Sequence, residues 1–191
     1  MTFPNPEYLT HPNIPKPLHG VNPRSIKGKE WWDGKRRIAY STYDYRCWAC
    51  GVRKWDADYH QWLEAHESYD INYSTGEVKL IEIIALCHSC HNFIHSGRMM
   101  VLLQKGEMER EKVYDIVLRG RYILHKNNLK PYWVTDYLWL ILNDREDEFV
   151  LPEDANEDND ASWSEWHLVL DGEKHYSPYK NIEEWKEAYN R

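Results

Sequence analysis

The sequence predicts an α+β fold: two strands and a short helix stapled by four cysteines, then further helices, then a small C-terminal β-hairpin with a helix. Three observations predict it. All four cysteines fall into two CxxC pairs, Cys47/Cys50 and Cys87/Cys90, with 36 residues between the pairs. The strand-length apolar run KLIEIIAL (79–86) delivers the chain to the second pair, behind a segment rich in turn formers. Beyond it, Val113, Ile116, Val117, Ile123 and Leu124 recur at helical spacing.

Taken in order, residues 1–23 carry six of the nine prolines and little periodicity, which predicts an extended arm, ordered where it docks. The core is expected over 24–100. It starts with a segment at 24–46 that interleaves Arg24, Lys27, Lys29, Lys35, Arg36 and Arg37 with Trp31, Trp32, Tyr40 and Tyr43. Cys47-Trp-Ala-Cys50-Gly51 then reads as a tight knuckle in which glycine relaxes the turn. A first strand runs from DYHQWLE into His66, with Trp62, Glu64 and His66 on one face at period two. The stretch 69–78, with Asn72, Ser74 and Gly76, reads as the loop to the second strand.

From His91 a short helix is expected, with Gly97 as its stop. A helical extension over 101–143 follows, made of helices at 107–128 and 135–143, the latter capped by Thr135 or Asp136. The acidic stretch 144–160 reads as a linker. Residues 161–191 form a last module: Trp166, Leu168 and Leu170 alternate before an Asp171-Gly172 hairpin turn, and Ile182–Tyr189 gives the terminal helix.

The 191 residues suffice to bury a core. With no long apolar run and no N-terminal charged-then-apolar segment, the expectation is a soluble protein of the cytoplasm, in a bacterial or phage-infected cell. The net charge of −7 excludes a uniformly basic nucleic-acid binder, but it hides an asymmetry. Residues 20–60 hold nine Lys/Arg against five Asp/Glu, while 144–160 holds nine acids against Arg145 alone. Basic side chains that alternate with aromatics suit phosphate contacts from the front half, equally with a solvated helix face.

Two CxxC pairs in a chain without a secretion signal favour zinc over disulfides. Four thiolates complete a tetrahedral Zn²⁺ and leave no open position, so Cys47, Cys50, Cys87 and Cys90 are expected to hold a structural zinc. His91 and His95 have no place in that closed set. Four residues apart, they share a helix face, and the strand-borne His66 lies near. That combination points to a second, open site of imidazole and carboxylate for a catalytic divalent cation. Glu64 and Glu67 are further carboxylate donors.

CWACG, LEAHE and ALCHSCHNFIH together resemble the HNH endonucleases, in the subgroup with a zinc ribbon around a ββα-metal finger. The resemblance covers roughly residues 21–98, and the C-x-x-C-H-x-x-x-H ending carries most of it. It implies metal-dependent phosphodiester hydrolysis, with His66 as general base and with His91 and His95 as ligands of Mg²⁺ or another divalent ion. Glu82 stands where the family commonly has Asn and is the second expected catalytic residue, to hold the His66 loop or ring as Asn would or to ligate the metal; Ala65 stands where the family has a ligand. The expected partner is DNA, with RNA as the alternative and no membrane; the rival function is a non-cleaving nucleic-acid or protein binding module.

Overall fold

A computed structural model describes residues 3–152 and 161–189. Among them the protein is mixed α+β, with six helices and a four-stranded sheet ordered β1-β2-β3-β4. The chain divides into two compact units that cut across the sequence order. The first is built from residues up to 13, 39–66 and from 84 into the acidic stretch; the second from 14–38, 67–83 and the C-terminal part.

Strands β1 (Glu64–Asn72) and β2 (Glu77–Leu86) are neighbours in the sheet. The first strand is longer than the sequence suggested, so the loop shrinks to a turn at 73–76. Gly76 closes that turn with φ +68, and a Cβ there would lie 2.9 Å from the backbone of Glu165 and Trp166. Only glycine fits so close an approach. Helix α1 (Pro23–Thr42) bears the basic–aromatic segment and is interrupted at Gly28, whose φ of 83 is non-helical.

In the second unit, β3 (His167–Leu170) pairs in parallel with β2, Val78 facing Leu168, and in antiparallel fashion with β4 (Glu173–Tyr176). The expected Asp171-Gly172 turn joins β3 to β4, both residues at positive φ. Leu18, Val78, Trp166 and Leu168 form the core of this unit, with Ile14, Val21, Ile26, Tyr69 and Ile71 packed around it. Helix α6 (Ile182–Tyr189) coincides with the expected terminal helix.

The first unit is helical around its strand ends. Helix α2 (His88–Ile94) starts three residues before the expected His91 and ends at His95, whose ψ of 40 breaks the helix. A separate α3 (Ser96–Gln104) begins at once, so Gly97 lies inside a helix instead of stopping one. Helices α4 (Arg110–Lys126) and α5 (Trp133–Leu142) complete the layer, and α4 packs on α2. Tyr132 takes the cap position of α5, so neither Thr135 nor Asp136 is its cap; Thr135 is buried and donates to Ser96 instead. The proline-rich segment is docked in part: the turn Pro6–Thr10 packs on α2 and α4 and buries Leu9, while Leu18 belongs to the second core. Of the acidic stretch, residues 153–160 lie outside those described. Among the described residues no helix is long and apolar enough to cross a membrane.

Candidate metal centres

The first CxxC is shaped by backbone bonds. Cys47 N–H donates to Val52 O at 2.8 Å, Gly51 N–H to Cys47 O at 2.8 Å, and Gly51 takes φ +76 to turn the chain. Trp48 N–H donates to Ala85 O at 2.8 Å, fastening this knuckle to the end of β2, and the buried Trp48 indole donates to Ala39 O. The second knuckle forms where β2 runs into α2: Cys87 caps the helix and Cys90 lies in its first turn.

The four sulfurs lie within 4.8 Å of one another and no disulfide joins them. Cys50 Sγ and Cys87 Sγ are 3.8 Å apart. With Zn–S bonds of about 2.3 Å, a regular tetrahedron has edges of about 3.8 Å, whereas a disulfide needs about 2.05 Å. Hydrogen bonds from Cys47, Cys87 and Cys90 hold the Cys50 thiol far below its ordinary range. The same sharing, Cys47 first, drives Cys87 and Cys90 upward. Such a cluster carries one thiolate comfortably and needs a cation to carry more. The donor set and its spacing can hold a metal such as zinc.

Four residues further along α2 the chain builds a different cluster. Ring nitrogens of His66 (β1), His91 and His95 fall within 4.8 Å of one another. The rings meet edge to face, with centroids 5.4 Å apart for His66–His91, 4.9 Å for His66–His95 and 4.7 Å for His91–His95. His66 is only 7 % exposed. Burial, then repulsion from His95, His91 and His11, pushes its pKa well below that of a free histidine. Burial likewise takes His95 down to about 4, with help from His91 and Arg98. Both rings are neutral at neutral pH, the form that offers a lone pair to a metal or to a proton.

Glu64 organises the helix side. Its Oε2 accepts from His91 Nδ1 at 2.6 Å and its Oε1 from His88 Nδ1 at 2.7 Å. Burial pushes the Glu64 carboxyl up, but these bonds, His91 first, outweigh it and bring the pKa to about 2. The His91 bond fixes the Nδ1–H tautomer and turns the Nε2 lone pair outward, the arrangement that steadies metal-bound histidines. His88 itself is lowered, by burial above all, so its partnership with Glu64 joins a carboxylate to a neutral ring.

The geometry thus brings together His66, His91 and His95, and separately the four cysteines. Glu82 is in neither group; it lines a groove of the second unit with Trp31, Lys35 and Asp171. Arg24, Lys29, Lys35 and Arg37 are exposed on α1, whereas Lys27 is paired with Asp171 at 2.6 Å and Arg36 with Asp33 at 2.9 Å. The sequence reading missed His88 and His60, which with Glu64 make a third group of metal-capable side chains. A signal was present: His88, His91 and His95 stand at i, i+3 and i+7, one stripe of a helix. Comparison of the chain with family models, with characterised proteins and with solved structures finds no match.

Proposed function

We propose that the chain is a metal-dependent endonuclease of the HNH type, hydrolysing phosphodiester bonds, in DNA foremost. The observation that carries the reading is the meeting of a strand histidine, His66, with two helix histidines, His91 and His95, beside a four-cysteine cluster. In this reading Cys47, Cys50, Cys87 and Cys90 hold a structural zinc that ties the Cys47–Gly51 turn to the junction of β2 and α2. His91 and His95 hold the working cation, Mg²⁺ or another divalent ion. When bound, it supplies positive charge against the charge that builds on the phosphate and the leaving oxygen.

The chain's own residues do the rest. Glu64 keeps the proton on His91 Nδ1 and so keeps Nε2 free for the ion. His66, neutral at neutral pH, accepts the proton of the attacking water at a ring nitrogen. Arg24, Lys29, Lys35 and Arg37 are the exposed cations for backbone phosphates, so binding falls as salt rises. Glu82, expected as a catalytic carboxylate, is not among the grouped metal-capable side chains, so no step is assigned to it.

Plasmid nicking with Mg²⁺, Mn²⁺ or Ni²⁺ tests the proposal. Cleavage should need the cation and should fall by about 10²–10⁴ in His66→Ala, the usual contribution of a positioned acid–base group. No cleavage with any of the three ions, or full activity in His66→Ala, defeats it. The burial of His66 favours a second reading, in which all three histidines hold a structural ion in a non-cleaving binding module. Retained DNA binding without cleavage selects that one.

A further inference from the structure

We propose that His60, Glu64 and His88 form a further divalent-cation site, joined through the Glu64 carboxylate to the three-histidine site. The ligand atoms of these side chains lie within 4.8 Å of one another. Two imidazoles and a carboxylate suit zinc, nickel, cobalt or manganese rather than calcium. The three residues come from separate pieces of chain: His60 from the loop before β1, Glu64 from the first position of β1, His88 from the first position of α2.

His60 and His88 are each held in place by contacts outside the group, and Glu64 also by His91. His60 stacks on Trp62 with ring centroids 4.1 Å apart and planes 8° apart. Its loop is tied down by the Asp58–Arg119 ion pair, and His60 N–H donates to Asp58 O at 2.9 Å. His88 is fixed by its place in the helix, where Asn92 Nδ2 donates to its carbonyl at 2.9 Å. The rings of His60 and His88 face each other edge on at 4.2 Å. All three residues are half-buried, so an ion reaches them from solvent yet loses part of its competition from water.

The contact between Glu64 Oε1 and His88 Nδ1, 2.7 Å, has two explanations. It is the length of a charge-assisted hydrogen bond, and close to the separation of about 2.9 Å between adjacent ligands bound octahedrally at about 2.0–2.1 Å, though shorter than the spacing of about 3.3 Å in a tetrahedral set. His60 favours the second: a ring nitrogen of a third metal-capable side chain lies within 4.8 Å of both, which a hydrogen bond between Glu64 and His88 does not require. One charge opposes the ion. The Lys112 ammonium lies 4.8 Å from the Tyr59 ring, which itself packs on His88. The site is therefore weaker than the four-cysteine cluster.

Glu64 has only one charge to share. An ion drawing on Oε1 weakens Oε2 as the acceptor that orients His91, so filling this site loosens the three-histidine site, and by linkage the reverse holds equally. That coupling rests on the reading of His91 as a metal ligand; the site itself does not.

The test uses the full chain, with zinc on the cysteines, titrated with Ni²⁺ in the absence of nucleic acid. Bound metal is counted by elemental analysis. In His60→Ala one nickel equivalent should be lost, or its Kd raised about tenfold or more, while the cysteine zinc and the remaining nickel stay. His95→Ala should remove the other nickel, and the double variant both. Equal nickel in His60→Ala and the parent chain overturns the site, as does loss of both equivalents in His60→Ala with the zinc intact. A His60-dependent equivalent that persists when His95 is intact or replaced, with unchanged affinity, upholds the site and overturns the coupling. Absence of DNA cleavage bears on the nuclease reading alone, because the count is made without substrate.

Discussion

Replacement of Gly120 by alanine should damage the histidine centre from behind. Gly120 lies in α4 where that helix packs on α2, and a Cβ there would fall 2.1 Å from Cδ2, 2.4 Å from Cε2 and 2.5 Å from Cγ of Phe93. Ordinary contact begins near 3.4 Å, so the ring must retreat by more than 1 Å. It has nowhere to go, being 1 % exposed. Because three ring atoms clash at once, the cost lies in the upper part of the overpacking range, about 2–3 kcal/mol, and the helix propensity gained on replacing glycine returns about 1 kcal/mol. The net expectation is a loss of about 1–2 kcal/mol, or a fall of roughly 2–8 °C in Tm for a chain of this size. Phe93 sits between His91 and His95 on the same short helix, so its displacement also shifts their rings. Nickel affinity at the three-histidine site should drop with stability, because misplacement of about 1 Å is costly for a preorganised centre. Urea denaturation and metal titration read the two effects. A Gly120→Ala protein as stable as the parent, or more so, refutes the packing argument; a destabilised one with unchanged nickel affinity refutes the link to the site.

Three other outcomes are expected. Cys50→Ser should lose the metal equivalent on the cysteines, seen by elemental analysis, and should destabilise the chain by several kcal/mol, since a closed thiolate site contributes its binding energy to folding. Acid should loosen α6. His19 Nδ1 accepts from Trp185 Nε1–H at 3.2 Å while His19 Nε2–H donates to Ile14 O at 3.1 Å, and burial lowers the His19 pKa. The neutral ring is therefore the folded form: its contribution is present above the ordinary histidine value of 6.5 and is lost as pH falls through the lowered folded value. Protonation at Nδ1 removes one hydrogen bond, about 1 kcal/mol, so amide protection factors over Ile182–Tyr189, taken relative to intrinsic exchange at each pH, should fall on acidification, and His19→Phe should flatten the change.

The parts of this fold that were legible in the sequence are those whose cause is local. CxxC followed by glycine dictates its own turn; KLIEIIAL is apolar enough to carry its second half, Ile83–Leu86, into the core, though Ile81 stays exposed; Asp171-Gly172 supplies the positive φ pair a hairpin turn needs. The four-cysteine group and the His66, His91 and His95 group were legible from spacing; the third, with His60 and His88, was not. What stayed hidden depends on partners distant in sequence. Nothing near Val78 announces that Leu168, ninety residues on, will pair with it. Glu64 looked like one strand carboxylate among several, because its double role needs His88 and His91 to arrive from another element. The break at His95 was misplaced to Gly97 because glycine is only a permissive signal: the helix ends where the chain turns, and Gly97 is accommodated in α3.

The same registers explain why the gap at Ala65 does not leave the centre short of ligands. The histidines at 88 and 91 on α2 and at 95 at its C-cap form one stripe, and on β1 the residues that meet this stripe are Glu64 and His66, two apart and hence on one face. Ala65 belongs to the other face of the strand. A ligand introduced there points away from the histidines, since strand neighbours alternate sides and only a one-residue slip would exchange them. Ala65→Asp, the substitution that brings the chain closer to the HNH pattern, should therefore leave nickel affinity at the three-histidine site within about twofold, whereas His66→Ala should lower it or abolish cleavage. A tenfold gain in affinity for Ala65→Asp would mean that the strand end twists enough to bring both faces to the ion, and the assignment of Glu64 and His66 as the strand's whole contribution would fall with it.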